Sequence, residues 1–148
     1  MGKISEAQAI LRDIGMPERQ QAPICALSLL ALAHIRPDDD WCQASNEWIR
    51  IHDIIQFVNL NYEVDYAENS RETFRKQAMH HFRNAALIED NGKATNSPNY
   101  RYRLTEEMLD LIRSYGTSAW TDKKEEFLAA HESLISMYES KRSMLKMP

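Results

Sequence analysis

Residues 69–88 read NSRETFRKQAMHHFRNAALI, and the fold turns on how this stretch is read. At 3.6 residues per turn, Phe74, Ala78, Phe82 and Ala85 fall on one face. Lys76, His80 and Arg83 project from the opposite face, with Arg71 and Arg75 on the flanks near the N-terminal half. The spacing predicts an amphipathic helix with a basic outer side. Asn69 or Ser70 is placed as its N-cap, and Asn69 followed by Glu72 is a loose form of the capping box. His81 is expected to pack inward and His80 to face solvent.

The next segment has the character of a β-hairpin. ALIED (residues 86–90) leads into NGKATNSPN and then YRYRLT. Asn91-Gly92 is a strong turn signal, and Tyr100, Tyr102 and Leu104 alternate with Arg101 and Arg103. The tyrosines are expected to face the core and the arginines to face out.

The chain of 148 residues carries a net charge of −4, which argues against bulk attraction to nucleic acid. The distribution is more telling. Residues 69–103 hold seven basic and three acidic side chains, a net +4, and the remainder is −8. Positive charge confined to one segment is what a local anion-binding face requires.

Other segments supply a core. SEAQAILRDIG (residues 5–15) reads as a short helix, capped by Ser5 and ended by Gly15 and Pro17. APICALSLLALAHI (residues 22–35) reads as a central helix buried on more than one side, with Pro23 in its first turn. NEWIRIHDIIQFVNLNY (residues 46–62) predicts a second core helix with Ile51, Ile54, Ile55 and Val58 as its stripe. TEEMLDLIRSYG (residues 105–116) is a helix capped by Thr105 and closed by Gly116. A long helix runs from Thr121, with Phe127, Leu128, Leu134, Ile135 and Tyr138 as its apolar positions.

Helix, helix, basic helix, hairpin is the order of a winged helix-turn-helix. The fold expected is therefore mostly α with a small β-hairpin, flanked by an N-terminal helix and a long C-terminal one. Residues 1–20 form a helical arm, 21–118 the winged domain, and 119–148 the C-terminal helix. In such a fold the third helix enters the major groove and the wing lies over the backbone. Double-stranded DNA is the expected partner. Arg71, Thr73, Arg75, Lys76 and Gln77 are the candidates for base contact. Asn69 and Ser70 lie near a phosphate at the helix start. His80 contacts phosphate or base, and Arg83 extends the basic face. Lys93, Arg101 and Arg103 neutralise phosphates from the wing. Two other readings stay open: a winged protein-interaction or dimerisation module without DNA contacts, and a transcription regulator whose long C-terminal helix makes a homodimer over an operator.

Beyond these patterns, the chain resembles the N-terminal domain of the BsuBI/PstI family of type II restriction endonucleases. The resemblance is carried by QAILRDIGMPERQQ with ALSLLALAHIRPDDDW, then SRETFRKQAMHHFRNAALI, NSPNYRYRL and LIRSYGTSAW, and it spans nearly the whole chain. It implies a bacterial site-specific deoxyribonuclease with a winged-helix domain followed by a separate catalytic domain, for which Mg²⁺ is expected. That catalytic domain is expected to be absent from this chain. No position here matches a carboxylate–carboxylate–Lys pattern, so no catalytic residue carries over, and this chain alone is expected not to cut DNA.

Other chemistry finds little support. The three carboxylates of PDDDW lack EF-hand spacing and read as a solvated loop. His80 and His81 point about 100° apart on a helix and cannot chelate one ion together. Cys25, His34, Cys42 and His52 lack zinc spacing, and no phosphate-binding Gly-rich loop is present. No cofactor or small-molecule substrate is therefore expected in this chain. Trp41, Trp48 and Trp120 lie outside the basic segment and are expected to pack. Two cysteines without a signal peptide fit a cytoplasmic protein. The longest apolar run, ICALSLLALAHI, falls short of the roughly 20 residues that cross a bilayer.

Overall fold

The structure, a computed structural model, describes residues 2–146, so the ends of the 1–20 and 119–148 segments (Met1, Met147 and Pro148) lie outside it. Its elements run α1 (Lys3–Asp13), α2 (Pro23–Leu32), α3 (Ile51–Asn61), a helix over residues 71–84, β1 (Ile88–Asp90), β2 (Tyr102–Leu104), α6 (Glu106–Arg113) and α7 (Trp120–Leu145). The 71–84 helix is composite: α4 (Arg71–Phe74), a π turn (Arg75–Met79) and α5 (His80–Asn84). Short 3-10 turns cover Glu18–Gln21, Trp41–Gln43 and Glu68–Ser70. This is the mostly helical, small-hairpin architecture expected.

α2 is the centre. Every residue from Ile24 to Leu32 is buried, because α1, α3 and the 71–84 helix pack around it. From α1, Ala7, Ile10, Leu11 and Ile14 join the same core at the i, i+3, i+4, i+7 spacing of one helical face. α1 is thus part of the packed body. α1 starts at Lys3, with Gly2 rather than Ser5 as N-cap, and it ends where Gly15 (φ +90) leaves the helix. There the Met16 N–H bonds Leu11 O and the Gly15 N–H bonds Arg12 O, closing the last turn as a left-handed cap does.

α3 begins later than the apolar pattern predicts. Residues 46–50 are not helical, because the backbone of Ile49 pairs with Tyr102 through two hydrogen bonds of 2.8 Å. Ile49 thereby lengthens the hairpin side of the domain, and the helix starts only at Ile51. The hairpin register is Ile88↔Leu104, Glu89↔Arg103 and Asp90↔Tyr102. Residues 91–101 loop between the strands, so Asn91-Gly92 opens a long wing. Asp90 Oδ1 accepts from the Gly92 N–H at 2.8 Å, and Asn91 Nδ2 donates to Asn99 O at 2.7 Å. Gly92 adopts φ +79, and a Cβ there would lie 3.2 Å from Leu145 Cβ.

Thr105 caps α6 as predicted, its Oγ1 accepting from the Met108 N–H at 3.2 Å. α7, 26 residues long, is about 39 Å from end to end. Phe127 and Tyr138 are its buried side chains. His131 Nε2 reaches Ala85 O at 2.6 Å and Lys141 Nζ reaches Glu89 at 2.6 Å, so α7 is fastened along the 71–84 helix and the wing base. Leu128, expected to pack, is 41% exposed.

Candidate nucleic-acid interface

Phe74, Ala78 and Phe82 are fully buried on the inner face of the 71–84 helix, as predicted; Ala85, expected on the same face, is half-buried at the C-cap. The start of the helix is not as predicted. Glu68–Ser70 is already a 3-10 turn, and Ser70 sits at φ −75, ψ −3 with no side-chain cap bond. Ser70 holds the N-cap position of α4 without capping it through its side chain, and Asn69 lies inside the 3-10 turn that begins after Ala67. His81 is exposed, not packed. In an uninterrupted α-helix it would lie about 20° from Phe74. The π turn adds one residue, rotates it off that face, and gives the buried place to Phe82.

The basic side chains divide into two groups. Arg83 points to the wing base, where it donates to Asp90 Oδ2 at 3.0 Å and to the Tyr100 hydroxyl at 3.4 Å. Arg103 donates to Glu89 at 3.0 Å and lies over the Trp48 ring, 4.2 Å from its centroid. Glu89 and Asp90 are both buried. These two arginines hold the wing onto the domain. Arg101 donates to Pro98 O at 2.8 Å and stiffens the loop. Among the described residues Lys76, Lys93 and Arg101 take part in no ion pair.

Between helix and wing lies a cleft of about 560 Å³. Arg71 and Arg75 line it from the helix, Thr95 to Pro98 from the wing loop, and Arg50 and His52 from the start of α3. The last two were not anticipated, since starting α3 at Asn46 placed them mid-helix. A helix start at Ile51 was the missing signal. Each arginine in the cleft has a carboxylate: Arg50 with Asp53 at 3.0 Å, Arg71 with Glu68 at 2.8 Å, Arg75 with Glu72 at 2.6 Å; His52 Nδ1 lies 2.6 Å from the same Glu68. The hydrogen bond from Arg50 holds Asp53 below the usual carboxylate range, and His52, with Arg71 behind it, does the same for Glu68. The Nε of Arg75 is buried without a partner.

Thr73, Lys76, Gln77 and His80 are exposed on the helix, as are Asn69 and Arg71 at its start and Lys93 in the loop. The three acids of residues 69–103 are thus consumed by Arg75, Arg83 and Arg103. The positive excess that remains is Arg71, Lys76, Lys93 and Arg101, and of these Arg71 is shared with Glu68.

The donor set for a metal is lacking: no group of three or more His, Cys, Asp or Glu among the described residues is arranged to hold an ion. These residues do not fit the Mg²⁺ expected of a nuclease. Of the PDDDW carboxylates, Asp40 forms a capping box with Gln43 and Asp39 accepts from the Arg36 N–H. Among the described residues no helix is long and apolar enough to cross a membrane.

Three helices around a buried α2, a hairpin at the side and a basic helix beside its loop define a winged helix-turn-helix domain. The chain belongs to the BsuBI/PstI restriction endonuclease HTH domain family, whose pattern matches residues 1–136. It is 36% identical to the type II restriction enzyme BsuBI of Bacillus subtilis, over 98% of this chain and 47% of that enzyme. It is 26% identical to the type II restriction enzyme AplI of Arthrospira platensis, over 93% of this chain and 43% of that one. Among solved structures, that of the SdaI restriction endonuclease matches with a TM-score of 0.82 at 29% identity, over 95% of this chain and 46% of that one. The chain spans about half the length of the relatives it matches.

Proposed function

We propose that this chain binds double-stranded DNA and serves as the target-recognition domain of a type II restriction endonuclease. The observation that carries the reading is the division of labour among the cations. Arg83 and Arg103 are spent on buried carboxylates that fix the wing. Lys76 and Lys93 stand exposed, one on the helix and one on the wing loop. An acidic protein can dock on DNA with such a face, because counterion release depends only on the charges that meet phosphates. Family membership supports the same partner, since the relatives are restriction enzymes by name.

The test is a duplex titration across salt concentrations. Binding should weaken on a log–log slope of about −0.9 per phosphate neutralised. Absence of duplex binding at low salt would overturn the reading. One observation favours a role in protein contact as well: Leu128, Met137 and Met144 on α7 are 41%, 48% and 72% exposed. Sedimentation of the chain with and without duplex separates a DNA-binding monomer from a homodimer.

A further inference from the structure

The 71–84 helix changes register in its middle. The His80 N–H bonds Arg75 O, five residues back, where an α-helix would use Lys76. The π turn houses one extra residue, so everything beyond it is set back by about 100°. In a regular α-helix, positions four apart drift about 40° per step, and Glu72, Lys76, His80 and Asn84 would fan across about 120°. The π turn removes most of that fan. Phe74, Ala78 and Phe82 form a straight inward row, each fully buried. Arg71, Arg75, Met79 and Arg83 line the wing side, and His80 borders the same cavity. Glu72, Lys76, His80 and Asn84 form the outward row, all exposed, with Asn84 Nδ2 3.3 Å from His80 Nε2.

A π turn is rarely stable by itself, and its neighbours must hold it. Here the carbonyl oxygen of Gln77, inside the turn, accepts from two side chains outside the helix. Gln20 Nε2 donates at 3.3 Å and Cys25 Sγ at 3.1 Å. Gln20 comes from the 3-10 turn before α2, and Cys25 from the first turn of α2. Gln20 is 6% exposed and Cys25 fully buried. A buried amide and a buried thiol aimed at one backbone oxygen are specific to this register.

We infer that Gln20 and Cys25 are positioning residues for DNA recognition. Through the Gln77 carbonyl they hold the π turn, and the turn sets Glu72, Lys76, His80 and Asn84 as the row that meets base edges. The inference rests on the DNA-binding reading. It adds an acid to the readers: Glu72 Oε1 accepts from Arg75 at 2.6 Å, which leaves its other oxygen to accept from a cytosine amino group, and Lys76 can donate to guanine.

The experiment uses duplexes selected from a random pool by the wild-type chain, with scrambled duplexes as the reference. A Gln20→Leu/Cys25→Val double variant removes both donors and keeps the packing volume. It should keep its melting transition, its affinity for scrambled duplex and its salt slope, while the preference for selected duplex falls about tenfold. Cys25→Ser, which keeps a donor, should preserve the preference that Cys25→Val reduces. Should the double variant not fold, alanine at Glu72, Lys76 or Asn84 tests the row directly. Each should lower the preference, and alanine at His81 should not. An unchanged preference in a folded double variant, equal loss in Cys25→Ser and Cys25→Val, or loss at His81 instead of the row overturns the inference, as does a wild-type chain that binds every duplex equally. A wild-type chain that binds no duplex removes the DNA-binding reading itself.

Discussion

Arg83, near the end of the 71–84 helix, and Asp90, at the last position of β1, meet at 3.0 Å with the Asp90 side chain only 2% exposed. The same carboxylate accepts from the Tyr100 hydroxyl at 3.1 Å and from the Gly92 N–H at 2.8 Å. One buried acid therefore ties the helix to both limbs of the wing. Burial pushes the Tyr100 hydroxyl well above its ordinary range, so it remains a donor to Asp90. Asp90→Ala should cost about 3 kcal/mol, because it leaves the Arg83 guanidinium partly buried without its partner. Asp90→Asn should cost less, since it keeps an acceptor for Gly92. Chemical denaturation of the three proteins gives the order; equal stability of wild type and Asp90→Ala would refute the role.

Phe74 is fully buried and meets Tyr66 edge-on, with ring centroids 5.0 Å apart. Truncation to Ala should cost about 3–5 kcal/mol, from lost transfer energy plus the cavity left behind. The loss should appear in melting curves on every buffer and be independent of DNA. A thermally unperturbed Phe74→Ala would place the core elsewhere.

The inner face of this helix was legible from the sequence because Phe74, Ala78 and Phe82 recur at a local period. Thr105 was legible for the same reason: its bond to the Met108 N–H spans three residues. What the sequence hid is non-local. Ile49 leaves the helical pattern because Tyr102, far along the chain, offers a backbone partner. The π turn misplaced His81 because Gln20 and Cys25, which hold it, lie more than fifty residues upstream of Gln77. Charge counting found the basic segment, but Arg83 and Arg103 looked like Lys93. Only the pairing of strands put buried Asp90 and Glu89 beside the first two.

Cys25 and Cys42 should differ sharply in chemistry. Burial pushes the Cys25 thiol up to about 11, and Cys42 is exposed. With a thiol-specific chromogenic reagent near pH 8, one thiol per native chain should react promptly and the second only on denaturation. The shift also has a stability consequence. Above the unfolded thiol's titration point, near 8.5, the unfolded chain loses a proton that the folded chain keeps. The Cys25 contribution is therefore intact below that point and is lost as pH rises towards about 11. The stability difference between wild type and Cys25→Ala should shift against wild type across that interval. A flat difference would contradict the raised thiol.

The final prediction separates cations that look alike in sequence. Lys93 is exposed on the wing loop, and among the described residues it has no ionic partner. Arg103 sits ten residues on, yet its guanidinium is shared between Glu89 at 3.0 Å and the face of Trp48. A phosphate must compete with both for it. Lys93→Ala should therefore weaken binding to all duplexes alike and flatten the log–log salt slope by about 0.9, with no change in melting. Lys76→Ala should flatten the slope only if Lys76 meets a phosphate; as a base reader it should instead lose affinity for selected duplexes. Arg103→Ala should leave the slope unchanged and destabilise the fold by about 1.5–3 kcal/mol, the size of a lost charged hydrogen bond. Lys141, still 2.6 Å from Glu89, limits the damage, and Arg103→Ala combined with Lys141→Ala should cost more than the two singly added, because Glu89 is then buried without a partner. Salt titrations and denaturation curves on the same preparations decide it. If Arg103→Ala flattens the slope as Lys93→Ala does, with stability unaltered, Arg103 meets a phosphate and the wing is fastened by Asp90 without it.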